Sequence, residues 1–291
     1  MTVAVLGATG VIGRALVSAL AESEEVLAIS RSPDTSPGEG VRAVAADVRD
    51  ATSVRRSLEG VEVAYYLVHS LGTPDYAVVD RRAAETVARE AEQAGVSQLV
   101  YLGGLGDDRP DLSQHLRSRL ETAVALSSGA VPVTTLRAAV VIGRGSAAFE
   151  TVVSLVDRLP AMIAPRWVTT PTQPIALADV VRYLVGVARM PAALGRSFDV
   201  GGPDVLSYRE MIERIAHIRG RRRLIVEVPV LSPRLSSYWL HLVTPVRAGV
   251  ARPLIEGLRN PTVVRNDRLR TLLPFPLTSF DDAARVALEP A

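Results

Sequence analysis

Short apolar runs alternate with amphipathic segments through the first 142 residues. No other feature limits so strongly what the chain can fold into. Val3–Leu6, Glu25–Ile29, Val41–Ala45, Val61–Val68, Leu99–Leu102 and Thr134–Ile142 each have the length and apolar character of a buried strand. Between them, Val11–Ala21, Ala51–Leu58, Tyr76–Ala94 and Leu112–Ser127 carry helical spacing, and Gly95 follows the third as a C-cap, with Val96 as the next apolar contact. Strand–helix alternation predicts an α/β fold, a doubly wound parallel sheet covered by helices on both faces. Apolar residues make up 48% of the chain but aromatics only 4%, so the core must be built from Ala, Val, Leu and Ile.

After about residue 145 the pattern loosens, and Pro160, Pro165, Pro171 and Pro174 cut it into short pieces. A helix is expected over Leu177–Met190 and a strand over Ser197–Val200, followed by Gly201-Gly202-Pro203. Another helix should open at Ser207, with Glu210 completing a capping box, and a last one at Thr278 or Ser279. The mostly apolar stretch Leu231–Leu258 holds Tyr238, Trp239 and Leu240, and Pro233 and Pro245 break it into two short amphipathic helices. The expected organisation is a cofactor domain over 1–145 and a smaller substrate lobe over 146–291, with segments free to interleave.

Several function classes drop out. A formal net charge of +2 gives no case for nucleic acid, and the run Arg219–Arg223 fits a helix end or a surface turn. No uninterrupted apolar run reaches the roughly 18 residues of a membrane span. A strand starting at Thr2 leaves no room for a leader, so a cytoplasmic location is expected. All 33 basic residues are arginine, and there is neither lysine nor cysteine. That excludes a lysine Schiff base, a P-loop lysine, a thiolate nucleophile and a zinc–sulfur site. The four histidines lie at least 24 residues apart, so no metal site is expected. The expected partner is a small apolar substrate, and a homodimer is an allowed assembly.

Gly7-Ala8-Thr9-Gly10-Val11-Ile12-Gly13 follows the first strand and opens a helix. In that position the three glycines serve a tight turn, close approach of backbone to a pyrophosphate, and helix–strand packing. The helix N-terminus behind them offers N–H groups to the anion. About 20 residues further on, an acidic side chain would hold a ribose 2′-hydroxyl. This chain instead carries Ser30-Arg31-Ser32, and arginine pairs with a 2′-phosphate and stacks on adenine, so NADP (as NADPH) is expected ahead of NAD. Asp47-Val48, after the third strand, either meets the adenine edge or, through Asp47, caps the next helix.

These residues, with Tyr66-Leu67-Val68-His69-Ser70 at the end of strand four and Tyr101-Leu102-Gly103-Gly104 at the end of strand five, resemble an atypical short-chain dehydrogenase/reductase. The likeness is to the NAD(P)H-binding, nucleoside-diphosphate-sugar-epimerase-like proteins near the NmrA group. It extends to Ile175–Val180 and to Phe198-Asp199-Val200-Gly201-Gly202-Pro203. The resemblance implies a Rossmann-type fold and cofactor contacts from Leu67, Val68 and Gly103 as well as the loop.

It also implies a serine after strand five and a Tyr-x-x-x-Lys pair on the next helix, and here the chain departs. The serine place falls at Gly103-Gly104, and the tyrosine and lysine places fall at His115 and Arg119. Their i, i+4 spacing puts both on one helix face. An imidazole with an ordinary pKa near 6.5 could exchange a proton without a lysine's help, and Arg119 could hold ribose or phosphate. His69, at the carboxyl edge of strand four, is the second catalytic candidate. Arg137 could face an acidic substrate group, though an ion pair is its simpler use. The expected function is NADP(H)-dependent reduction of a carbonyl or activated double bond in an apolar small molecule. The alternatives are a catalytically silent NADP(H)-binding sensor or structural protein, and an isomerase or epimerase using the cofactor transiently.

Overall fold

The computed structural model describes residues 1–33, 38–73, 75–106, 112–228 and 257–289. Six strands follow the apolar runs: β1 (Thr2–Leu6), β2 (Glu25–Ser30), β3 (Val41–Ala45), β4 (Val63–Tyr66), β5 (Gln98–Gly104) and β6 (Val133–Ala138). Four helices separate them: α1 (Val11–Leu20), α2 (Ala51–Leu58), α3 (Tyr76–Gln93) and α4 (Gln114–Leu126). With a later strand, Ser197–Val200, they form one seven-stranded sheet. From one edge to the other it runs from Ser197–Val200 through β6, β5, β4, β1 and β2 to β3, all neighbours parallel. The order reverses between β1 and β4, and a crevice at such a switch point is where open α/β sheets bind ligands.

Alternation along the strands splits the core between the two faces. Val3, Val5, Tyr65, Val100 and Leu102 pack with Leu16 and Leu20 of α1 and with Val180 and Leu184 of a later helix. Ala4, Leu6, Tyr66, Leu99 and Tyr101 pack with Val54 and Leu58 of α2, Ala84 and Val87 of α3, and Leu126 of α4. Tyr65 and Tyr66 therefore face opposite ways, as adjacent strand residues must, and both are fully buried.

The expected strand over Thr134–Ile142 is two. After Ala138 the chain leaves the sheet, and β7 (Val141–Ile142) pairs with β10 (Ile175–Ala176). A helix that the sequence reading did not anticipate follows, α5 (Ala147–Arg158), then β8 (Ala161–Pro165), a 3-10 turn (Arg166–Thr169) and β9 (Pro171–Thr172). The helix expected over Leu177–Met190 stops earlier, as α6 (Leu177–Gly186), and Arg189 beyond it adopts a left-handed backbone. Next come β11 (Ser197–Val200), β12 (Leu206–Ser207), α7 (Tyr208–Ile218), β13 (Leu224–Val228), α8 (Arg268–Leu272) and α9 (Phe280–Leu288).

The capping box of Ser207 and Glu210 is present, and Ser279 caps α9. Arg219–Arg223 ends α7 and turns into β13. A second core gathers Phe149, Val152 and Val156 of α5, Met211, Ile212 and Ile215 of α7, and Phe280 and Ala284 of α9. This lobe and the sheet domain interleave, because α6 packs on α1 and β11 completes the sheet. Most of the Leu231–Leu258 stretch lies outside the described residues. Among the described residues no helix is long and apolar enough to cross a membrane, and no cluster of His, Asp and Glu is arranged to hold a metal.

Candidate cofactor and active site

The glycine loop sits where β1 meets α1, at the switch point. Gly7 has φ +91°, and a Cβ there would lie 3.0 Å from the carbonyl of Leu67 at the β4 exit. A Cβ on Gly13 would collide with the Gly7 carbonyl oxygen and come within 2.9 Å of the Ala8 Cα. The loop can close this tightly only without side chains at both positions. Gly10 is the N-cap of α1 and supplies no side chain to the first turn, so the N–H groups there are not capped from within the helix. Thr9 and Gly10 are exposed, and Val11 and Ile12 are partly so. A cradle that a Cβ would fill, set at an uncapped helix start, fits a pyrophosphate.

The neighbouring strand exits complete the crevice. At the end of β2, Ser30 is buried with its Oγ unpartnered among the described residues, while Arg31 and Ser32 are exposed. After β3, the Asp47 carboxylate accepts from the Arg49 backbone N–H at 3.0 Å and from Arg49 Nε at 2.9 Å. The hydrogen bond from the Arg49 side chain, helped by the charge of Arg31, holds the Asp47 carboxyl below its usual range. The cap of α2 is Asp50, which accepts from Thr52 N–H at 3.0 Å, so Asp47 does not take the capping role left open for it. Val48 beside it is half-buried against the α2 side of the core.

At the β4 exit, Leu67 and Val68 are half-buried and His69 is exposed. Ser70 N–H donates to the buried Asp80 carboxylate of α3 at 2.8 Å, which fixes the turn. Burial raises the Asp80 pKa, against the pull of the Ser70 hydrogen bonds and the Arg119 charge.

His115 and Arg119 lie on α4 as the spacing requires. The Arg119 guanidinium donates to the Leu102 carbonyl and stands 5.0 Å over the Tyr101 ring, and Tyr101 OH donates to the Arg119 carbonyl at 3.1 Å. Its Nη1 is buried and unpartnered among the described residues. Arg119 thus joins α4 to β5 instead of extending into solvent. His115 is half-buried, and desolvation pushes its imidazole down to about 3, with the charges of Arg119 and His69 adding to the effect. His69 is pushed down to about 4 by desolvation and Arg119, but its exposed ring keeps solvent contact, which screens part of that push. The mutual influence of His69, His115 and Arg119 places them in one electrostatic neighbourhood.

Gly103 and Gly104 stand where the serine was expected. A Cβ on Gly103 would press the Tyr101 ring at 3.0 Å, and one on Gly104 would meet Leu116 Cδ2 at 3.0 Å. The segment after residue 256 closes the other side. Asn260 Oδ1 accepts from Ser113 N–H at 3.1 Å, and Gly257 approaches Ser113 and His115. Spacing gave no sign of that contact, which spans 147 residues. Arg137 forms the ion pair expected of it, with Nε donating to buried Asp199 at 2.8 Å. Asp179, in the segment 175–180, is fully buried and accepts from Thr278 N–H at 2.7 Å and Oγ1 at 3.2 Å, which seats the start of α9.

A parallel sheet of this order with a glycine cradle at its switch point defines an α/β fold of the dinucleotide-binding type. More particularly, residues 7–134 match the NAD(P)H-binding family. The chain is 26% identical over 233 residues to a (4-alkanoyl-5-oxo-2,5-dihydrofuran-3-yl)methyl phosphate reductase of Streptomyces griseus, covering 79% of this chain and 78% of that one. It also matches an uncharacterized Mycobacterium tuberculosis protein, but spans only 25% of its length. Similar folds include an NADPH-dependent quinone oxidoreductase of Escherichia coli, with a TM-score of 0.77 and 18% identity over 97% of this chain and 98% of that one. Triphenylmethane reductase of Citrobacter sp. has a TM-score of 0.77 and 17% identity over 99% and 100%.

Proposed function

We propose that this chain is an NADP(H)-dependent oxidoreductase that reduces a carbonyl or activated double bond of an apolar small molecule. One observation carries the reading: the glycine cradle lies against Leu67 at the β4 exit, two residues before His69, whose charge acts on His115 of α4. In this reading residues 1–145 hold the cofactor and 146–291 supply the substrate lobe, with α6 and β11 returning to the sheet.

Gly7, Thr9, Gly10, Val11, Ile12 and Gly13 would take the pyrophosphate. Ser30, Arg31 and Ser32 would take the 2′-phosphate, Asp47 and Val48 would border the adenine, and Leu67, Val68 and Gly103 the remaining length. The bound cofactor supplies hydride from its nicotinamide ring. His115, neutral at working pH, donates a hydrogen bond from an imidazole N–H to the substrate oxygen, polarising it as a neutral imidazole can. With its pKa near 3, its imidazolium is scarce, so water delivers the proton. Arg119, held by Leu102, keeps α4 at the fixed distance from β5 that this needs. The apolar character of the substrate rests on Leu231–Leu258, with Trp239 and few charges. Two solved structures of similar fold are an NADPH-dependent quinone oxidoreductase and a triphenylmethane reductase.

The second reading, an NADP(H)-binding protein without turnover, draws on Gly103-Gly104, where no hydroxyl is offered. Binding and turnover separate the two. Wild type should bind NADPH about tenfold or more tighter than NADH, Arg31→Glu should abolish the preference, and His115→Ala should slow NADPH consumption with quinones or apolar ketones. Equal affinity for both cofactors would sink the NADP(H) assignment. Tight NADPH binding with no consumption across the panel would favour the silent protein.

A further inference from the structure

We infer that the arginine-rich turn between α7 and β13, together with the outward face of β13, docks on an anionic lipid surface. The inference goes beyond the reductase reading and does not rest on it. Arg219, Arg221, Arg222 and Arg223 follow one another around a single turn, and none of them belongs to the glycine cradle or the histidine neighbourhood. Arg219 is the C-cap of α7, and Gly220 takes φ +64°, a left-handed backbone that turns the chain into β13. The turn lies against the end of α5. Arg221 Nη1 donates to the Asp157 carbonyl at 2.9 Å and to its carboxylate at 2.8 Å. Arg219 Nη2 stands 3.5 Å from the same carboxylate, and Arg223 Nε donates to the Val156 carbonyl at 2.6 Å.

Those contacts fix the turn without neutralising it. Asp157 cancels one charge and the backbone carbonyls cancel none, so the four guanidiniums keep an excess of three. The acids nearest in sequence on either side, Glu213 and Glu227, both pair with Arg209, and counting that triplet in still leaves an excess of two. The apolar component follows directly. Along β13 the side chains alternate, so Ile225 enters the second core while Leu224 and Val226 face outward, 62% and 46% exposed. A nucleic acid would be met by the arginines but has no use for two outward aliphatic side chains beside them. An anionic bilayer takes both, the guanidiniums at the headgroup phosphates and Leu224 and Val226 at the acyl boundary.

The test is co-sedimentation of the full chain with vesicles of pure phosphatidylcholine and with vesicles of phosphatidylcholine mixed with phosphatidylglycerol, for wild type, Arg222→Glu and Leu224→Ser. Arg222 is exposed and its hydrogen bond to Arg223 runs through its own backbone carbonyl, and Leu224 keeps its strand pairing to Ala161, so both variants should fold with a thermal midpoint near that of wild type. Wild type should pellet with the mixed vesicles and not with the neutral ones, and added salt should weaken the binding. Each arginine near such a surface strengthens binding about fivefold, so the charge reversal in Arg222→Glu should weaken it about tenfold or more. Leu224→Ser should weaken it by a smaller factor, about threefold. The inference is overturned if wild type binds neither vesicle or both equally, or if Arg222→Glu binds as wild type does, which would place the contact elsewhere on the chain. It is also overturned if Leu224→Ser changes nothing, or if duplex DNA binds more tightly than the mixed vesicles with the same loss in Arg222→Glu, which would make the turn a nucleic-acid surface.

Discussion

The Arg119 guanidinium stands 5.0 Å over the Tyr101 ring, and Tyr101 OH returns a hydrogen bond to the Arg119 carbonyl at 3.1 Å. Arg119 thus works as a clasp between α4 and β5. Replacing it with alanine removes a cation–π contact and a hydrogen bond to the Leu102 carbonyl. Arg119→Ala should lose about 1.5–3 kcal/mol of stability in chemical denaturation. Arg119→Lys should recover only part of it, because an ammonium cannot lie flat on the ring and reach the carbonyl together.

Desolvation first, and the charge of Arg119 second, set the pH behaviour of His115. Its folded pKa of about 3 lies below the unfolded value near 6.5, so between these values the unfolded chain binds more protons than the folded one. Neither state carries the proton above pH 6.5. As pH falls from there toward 3, stability should drop, with up to one proton taken up on unfolding at this site. NMR titration of the His115 ring should show no protonation down to about pH 4. In Arg119→Ala the midpoint should rise, yet stay under 6.5, because desolvation is the larger cause. A wild-type midpoint near 6.5 would refute both the desolvation of the half-buried ring and its neutral hydrogen-bond role.

Gly13→Ala should weaken cofactor binding sharply. The added methyl would collide with the Gly7 carbonyl, so the loop and α1 must separate to admit it. Overpacking of this kind costs about 1–3 kcal/mol, and the displaced loop no longer presents its N–H groups to a pyrophosphate. Fluorescence titration with NADPH should show affinity lowered by about a hundredfold, with the far-UV circular dichroism retained. Unchanged affinity would remove the cradle from the cofactor site.

Features that reside in a few adjacent residues could be read before any coordinates. The spacing of Gly7, Gly10 and Gly13 encodes a steric demand that the loop itself imposes, and Ser207 with Glu210 closes its capping box within one turn. Features set by distant partners could not. The segment Ala147–Arg158 carries Val152, Val153 and Val156 with no side-chain cap hydrogen bond, and it is helical because its apolar face meets α7. His115 reads as an ordinary titrating imidazole until Arg119, His69 and the segment around Gly257 are assembled around it. Asp199 shows nothing of Arg137, 62 residues earlier, or of the Arg265 backbone, 66 residues later.

Asp179 illustrates the same distance effect in a form that stability measurements can read. Its carboxylate, fully buried, accepts from the N–H and hydroxyl of Thr278, 99 residues further on, and so seats α9 against the sheet domain. In Asp179→Ala the Thr278 N–H loses its partner in a part-buried position, and a hydrogen bond to a charged acceptor goes with it. Removal of such a group costs about 2–4 kcal/mol. Hydrogen exchange should report that loss first in α9 and α7, which share the second core, while β1, β4 and β5 stay protected. Asp179→Asn keeps an acceptor oxygen for one of the two donors and should lie between wild type and alanine. Uniform loss of protection across both cores in Asp179→Ala would show instead that the two lobes unfold as one cooperative unit.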